Sequence, residues 1–163
     1  MRNTIMIIQA AVSAALAWAA DRLGILYPVL LVLLGMMILD YITGMGASKR
    51  EAIDHPEDPA YGWNSKKGLK GILKKVGYLC VIAVAMVVDY LIANIAGQLG
   101  IQTITTTFFG LLVAVWYILN ELLSIIENAG RMGTQIPEWL RKYIAILKQQ
   151  IDEGNGGDLN GNG

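Results

Sequence analysis

Four long apolar blocks, divided by short or charged links, restrict this chain more than any other feature. They run over residues 4–20, 27–46, 72–96 and 103–126. A helix that crosses a bilayer needs roughly 20 apolar residues, with a lower limit near 17. The last three blocks meet that length and the first only just does. Hydrocarbon offers no water to backbone N–H and C=O groups, so an open segment at that depth must satisfy itself as a helix. The blocks therefore predict an all-α, polytopic membrane protein with about four transmembrane helices. Composition agrees: 55% of residues are hydrophobic, mean hydropathy is +0.48, and only 16% are charged, against about a quarter in soluble domains. The expected organisation is a transmembrane domain over 1–130 with a polar loop at 47–71, an amphipathic surface helix at 131–151, and a disordered tail at 152–163.

Basic residues orient the blocks. Loop 47–71 carries Lys49, Arg50, Lys66, Lys67 and Lys70, with Lys74 and Lys75 just beyond, and the segment after the fourth block carries Arg131, Arg141, Lys142 and Lys148. The link at 97–102 has none. Placing both termini and the long loop in the cytoplasm puts every basic residue except Arg22 inside, as the positive-inside rule requires. Tyr27, Trp63 and Trp139 suit interface anchoring, whereas Trp116 and Tyr117 lie too deep for it. The first block has two rival readings. Arg2, an apolar core and "ALAWAA" also fit a cleaved signal peptide, which would leave three spans and an external N-terminus. Alternatively the block is a segment that moves in and out of the bilayer. Its alanines at 10, 11, 14, 15 and 19 make a small-residue face for close helix packing, and they also make it the least hydrophobic of the four.

Several chemistries are excluded. Thirteen basic and thirteen acidic residues cancel, which argues against nucleic acid as a partner. Cys80 is the single cysteine and His55 the single histidine, so a protein-only zinc or haem site is not expected. His55 reads as a solvated loop residue. No phosphate loop or nucleophile elbow is present, and neither catalysis nor a cofactor is expected.

The polar residues inside the apolar blocks carry the functional question. A lone carboxylate at the bilayer centre costs about 2.5–3.5 kcal/mol on insertion scales, so Asp40, Asp89 and Glu121 should not face lipid. Asp40 and Glu121 fall in the same half of the membrane as Lys74 and Lys75, and pairing among them would lower the cost. Asp89 lies nearer the other side. Asn94, the threonines at 103–107, a neighbouring subunit or a bound proton would each relieve it. Asn120, Ser124, Glu127, Asn128 and Arg131 follow helical spacing and form one stripe, with Glu121 beside it. A pair between Glu127 and Arg131 at i, i+4 would explain the outer part of that stripe. Asn120 and Glu121 sit deeper. They are candidates, with Asp40 and Asp89, for assembly contacts or for lining a lumen.

Beyond Gly130 and Gly133, "IPEWLRKYIAILKQQI" places Ile136, Leu140, Tyr143, Ile144, Leu147 and Ile151 on one face, with Pro137 suited to a helix's first turn. This predicts a basic amphipathic helix lying on the membrane surface or packing on a partner. The glycine- and asparagine-rich end lacks the closing Glu of a calcium loop, so no metal is expected there either.

"LDYITG", "SKKGLKGILKKV" and "YILNELLSIIENAGRMGTQIP", in that order, resemble motifs of the toxin-secretion and phage-lysis holin family over roughly residues 30–147. The resemblance implies a small inner-membrane protein that forms homo-oligomers in bacterial lipid. It implies lesions through which an endolysin, or a toxin, passes, leading to host-cell lysis with no direct contact with the endolysin required. It marks Asp40, Thr43, Gly44, Lys70, Gly71, Asn120, Glu121, Glu127, Asn128 and Gly130 as motif positions. A longer loop around 52–63 and the glycine-rich end depart from short members. Two rivals stand beside this reading: a small ion or solute channel, and a non-conducting membrane scaffold. Release of a folded protein separates them.

Overall fold

The computed structural model describes residues 2–58, 60–101 and 107–156. It holds five helices: α1 (Arg2–Leu23), α2 (Leu26–Asp54), α3 (Ser65–Gln98), α4 (Phe108–Arg131) and α5 (Glu138–Gly156). No strand occurs among the described residues. The first four are long and apolar enough to cross a membrane, as the apolar blocks predict.

The helices outrun the apolar blocks. α2 continues eight residues past Gly46 because "ASKREAID" contains no helix breaker, and the first proline follows at Pro56. α3 starts at Ser65, where the Asn64 side chain caps the Lys67 N–H at 2.8 Å. Its 34 residues span about 51 Å at 1.5 Å each, against a hydrocarbon core of about 30 Å. Part of loop 47–71 is therefore helix that projects beyond the bilayer. The expected start of the fourth span at 103–106 lies outside the described residues. α5 reaches Gly156, so 152–156, expected as tail, are helical, while 157–163 lie outside the described residues.

Helix ends follow local chemistry. After α4, Gly133 takes φ +92°. The Thr134 N–H reaches the Ala129 carbonyl at 3.0 Å and the Gly133 N–H reaches Gly130 at 2.9 Å. This is a Schellman stop, which a side chain at Gly133 would strain.

α4 organises the bundle. It packs chiefly on α2, then on α3, and it is the only helix that α5 touches among the described residues. α2 and α3 barely meet, and among the described residues α1 touches α2 alone. The core lies between α2, α3 and α4. Leu26, Leu33 and Met37 meet Tyr78, Ile82, Ala114 and Tyr117 there. The Tyr78 and Tyr117 rings stack at 3.9 Å, with Trp116 edge-on to Tyr117 at 5.0 Å. Tyr117 is a core residue and Trp116 packs, partly buried, against the core, consistent with the depth of both. The outer surface is apolar: Ile7, Ile38, Val84 and Tyr90 are each more than half exposed. In a water-soluble protein that surface would be a liability; on a spanning bundle it is the lipid face.

Candidate functional site

The three motif segments converge near the end of the bundle where α2 joins α3. α2 presents Asp40, Gly44, Ala47 and Glu51 at i, i+4, i+7 and i+11, one line along the helix. α4 answers with Gly110, Ala114, Tyr117, Glu121 and Asn128, its buried line. Glu121 is thus on the buried line, and Asn120 and Glu127 flank it. The expected stripe ran through Asn120, Ser124, Glu127, Asn128 and Arg131 with Glu121 beside it; of these the buried line takes Asn128 and Glu121.

The centre of the site is a three-member ion cluster. Lys75 Nζ, from α3, donates to Asp40 Oδ2 at 2.8 Å and to Glu121 Oε2. Glu121 is only 2% exposed. Two carboxylates sharing one ammonium leave the trio with a formal charge of −1. Polar groups complete it. Asn128 Nδ2 donates to Asp40 Oδ1 at 3.1 Å and to Thr43 Oγ1 at 3.3 Å. The Thr43 hydroxyl donates in turn to the Asp40 carbonyl at 3.1 Å. No buried side-chain polar atom lacks a partner among the described residues, as burial in a low-dielectric setting demands. Of the two lysines expected at this depth, Lys75 makes the cluster, and Lys74 instead places its ammonium 5.6 Å from the Tyr78 ring centre.

Gly44 faces Asn128 across the α2–α4 contact: a Cβ there would stand at an ordinary contact distance of 3.5 Å from Asn128 Nδ2. A cavity of about 290 Å³ opens beside the cluster, lined by Asp40, Gly71, Lys75, Ser124 and Asn128 among others. Gly71 faces open space. Lys70, Glu127 and Gly130 are exposed at the periphery, and Asn120 is half-buried.

One turn outward, Arg131 grips Glu51. Its Nε and Nη2 donate to the two carboxylate oxygens at 2.7 and 2.8 Å, and Nη1 donates to Asn128 Oδ1 at 3.0 Å. This forked pair holds Glu51 below the ordinary carboxylate range, chiefly through the hydrogen bond itself, and raises Arg131 for the same reason. The expected Glu127–Arg131 pair does not form. A guanidinium that can meet a carboxylate across two helices in a forked geometry prefers it to a single contact along one helix. Because it lies in 47–71, the segment expected as loop whereas α2 runs on to Asp54, Glu51 is absent from the candidate residues. Its i+11 spacing from Asp40 was the available signal.

Asp89 has a different role. Its Oδ1 accepts the Phe109 N–H at 2.9 Å and its Oδ2 the Gly110 N–H at 2.8 Å. Thr107, the residue before α4, makes no side-chain cap, so a carboxylate from α3 satisfies the free N–H groups and the positive end of the helix dipole. Gly110 permits this approach, since a Cβ there would lie 3.2 Å from Leu26 and Met86 and 3.4 Å from Asp89. Asn94, one expected partner, instead donates to the Tyr90 carbonyl at 2.8 Å.

Among the described residues no group of three or more His, Cys, Asp and Glu is placed to hold a metal. The site has the chemistry of a lock between helices: alternating charges and amides that hold α2, α3 and α4 at one register.

Residues 17–149 match a family model described as the bacteriophage holin family. The chain is 36% identical over 137 residues to an uncharacterised protein of Halalkalibacterium halodurans, covering 83% of this chain and 90% of that one. It is 34% identical to a 14.9 kDa Clostridium perfringens protein encoded in the nagH 3' region, over 74% of this chain and 77% of the relative. A Listeria monocytogenes relative is 33% identical over 75% of this chain and 73% of its own. No solved structure matches.

Proposed function

Since the chain belongs to the bacteriophage holin family, we propose that it gathers into homo-oligomers in the inner membrane of a bacterial host. There it opens lesions that release an endolysin, or a toxin, and so brings about lysis. It acts by assembly rather than catalysis, needs no cofactor, and serves the endolysin without needing to bind it. Both termini and loop 47–71 lie on the cytoplasmic side, on the strength of the charge distribution.

One observation carries the reading. The ionisable core is closed within a single subunit, by Lys75 with Asp40 and Glu121, and the space between α2, α3 and α4 holds a packed side-chain core with a cavity of only about 290 Å³ at the lock end. A folded enzyme cannot pass through such an interior, so a passage of that size forms between subunits. The exposed apolar surface and the sparsely packed α1 supply area for subunit contacts.

The test is release of cargo of graded size. The protein is produced in bacteria that hold an ion-sensitive dye, a small fluorophore and a folded cytoplasmic enzyme. The expected result is a delay, then release of all three. Loss of ions or fluorophore alone would point to a small channel. Retention of everything at high protein levels would leave a scaffold.

A further inference from the structure

The apolar arc of α5 is wider than one contact. Counted at 100° per residue from Ile144, Leu140, Leu147, Tyr143, Trp139 and Ile146 sweep successively around one side of the helix. Only Ile144, at the start of the arc, is buried, 8% exposed. Trp139 and Tyr143 remain 62% and 64% exposed, and Leu147 and Ile146 are also open. The single apolar face expected from sequence is thus split: one edge docks within the subunit and the other has no protein cover among the described residues.

Position says what covers the second edge. α5 follows α4 after the six residues 132–137, and α4 is the only helix it touches among the described residues. It is therefore held at the level where α4 leaves the bilayer. The open edge has the composition of that level. Trp and Tyr prefer the headgroup zone, and the two rings meet edge to face at 6.4 Å, forming one platform. Lys142 borders the edge and can extend its ammonium to the headgroups. Arg141 lies on the opposite side of the helix and faces water.

We infer that the Trp139–Tyr143–Leu147 edge of α5 is seated in the lipid headgroup zone of the bilayer leaflet at which α4 ends. α5 is then a lipid-bound brace for the end of α4 that carries Arg131. The inference rests on the membrane reading above.

The experiment uses the full chain with Cys80→Ala, reconstituted in phosphatidylglycerol–phosphatidylcholine vesicles. Single spin labels are placed by Tyr143→Cys, Leu147→Cys, Arg141→Cys and, as a reference on the exposed surface of α3, Val84→Cys. Accessibility to oxygen, which concentrates in lipid, is compared with accessibility to a water-soluble nickel chelate. The expected result is oxygen-dominated access at 84, nickel-dominated access at 141, and an oxygen-to-nickel ratio at 143 and 147 between the two. A ratio at 143 and 147 equal to that at 141, with a lipid-like 84, would overturn the inference and leave the membrane reading standing. Low access to both reagents at 143, with spin–spin broadening relieved by unlabelled protein, would seat the edge on a second copy and also overturn it. A water-like signal at 84 would remove the membrane reading itself. Because 143 and 147 are exposed, labels there leave the packed edge at Ile144 in place.

Discussion

Lys75 is the residue on which most depends, because it neutralises two carboxylates that have no other cation within hydrogen-bonding reach among the described residues. Removing one partner of a buried ion pair typically costs about 3–5 kcal/mol. Lys75→Met should therefore accumulate poorly and melt early in detergent. The triple variant that adds Asp40→Asn and Glu121→Gln should recover much of the loss. A Lys75→Met protein as heat-stable as the parent would mean that the cluster is not an energetic unit. Glu121→Gln is the milder change. It keeps the shape and a hydrogen bond to Lys75, and Asp40 still neutralises the ammonium. At matched protein levels this variant should permeabilise cells with parental timing, since its partner lies in its own subunit. A clear shift in onset would instead give the charge a role between subunits. Asp89→Ala leaves the Phe109 and Gly110 N–H groups without an acceptor at a cost of about 1–3 kcal/mol each. Asp89→Asn retains one oxygen and should cost less. Circular dichroism melts in detergent rank the three proteins, and equal melting temperatures would remove Asp89 as the cap of α4.

The extended end of α2 and the end of α4 are joined by Glu51 and Arg131, and this joint responds to pH. Glu51 is held below its ordinary value, so the joint contributes fully at neutral pH and is lost as pH falls through the lowered value. Arg131 is raised and stays charged throughout, so Glu51 alone sets the direction. Both side chains are partly exposed, and salt should weaken the joint as well. Spin labels at Asp54 and Met132 should give a narrow distance distribution at neutral pH that broadens on acidification. With Glu51→Gln it should be broad at both. A distribution indifferent to pH in the parent protein would show that the joint does not hold the two helix ends.

At the scale of the molecule, the chain is a bundle organised on α4, with a polar lock near one end, a capped helix start near the other, and α1 attached at the side. The basic residues, Arg22 excepted, fall on the side of the lock. A reporter fused after residue 151 should read cytoplasmic and one inserted near Gly100 external. An external C-terminus would sink the four-span arrangement. An external N-terminus with an internal C-terminus would show that the first block is cleaved or escapes the bilayer. α1 is the element for which that outcome matters, because its apolar side chains are largely uncovered by the rest of the chain.

The amino-acid order alone determined the helices and their membrane character, because hydrocarbon admits so few backbone solutions that length and apolarity suffice. It also placed Asp40, Glu121 and the two lysines at one depth, since rise per residue is constant along a helix. Which lysine pairs, and with whom, required three helices to be rotated against one another, and rotation is set by packing. The same holds for Asn128, expected in the outer part of the polar stripe and found buried against Asp40. It holds for Arg131, which found Glu51 eighty residues away rather than Glu127 one turn back. Asp89 shows the limit most clearly. Its partners are the backbone N–H groups of Phe109 and Gly110. Every residue but proline carries that donor, so no side-chain pattern can announce it, and only the approach of two helices decides where a free one will stand.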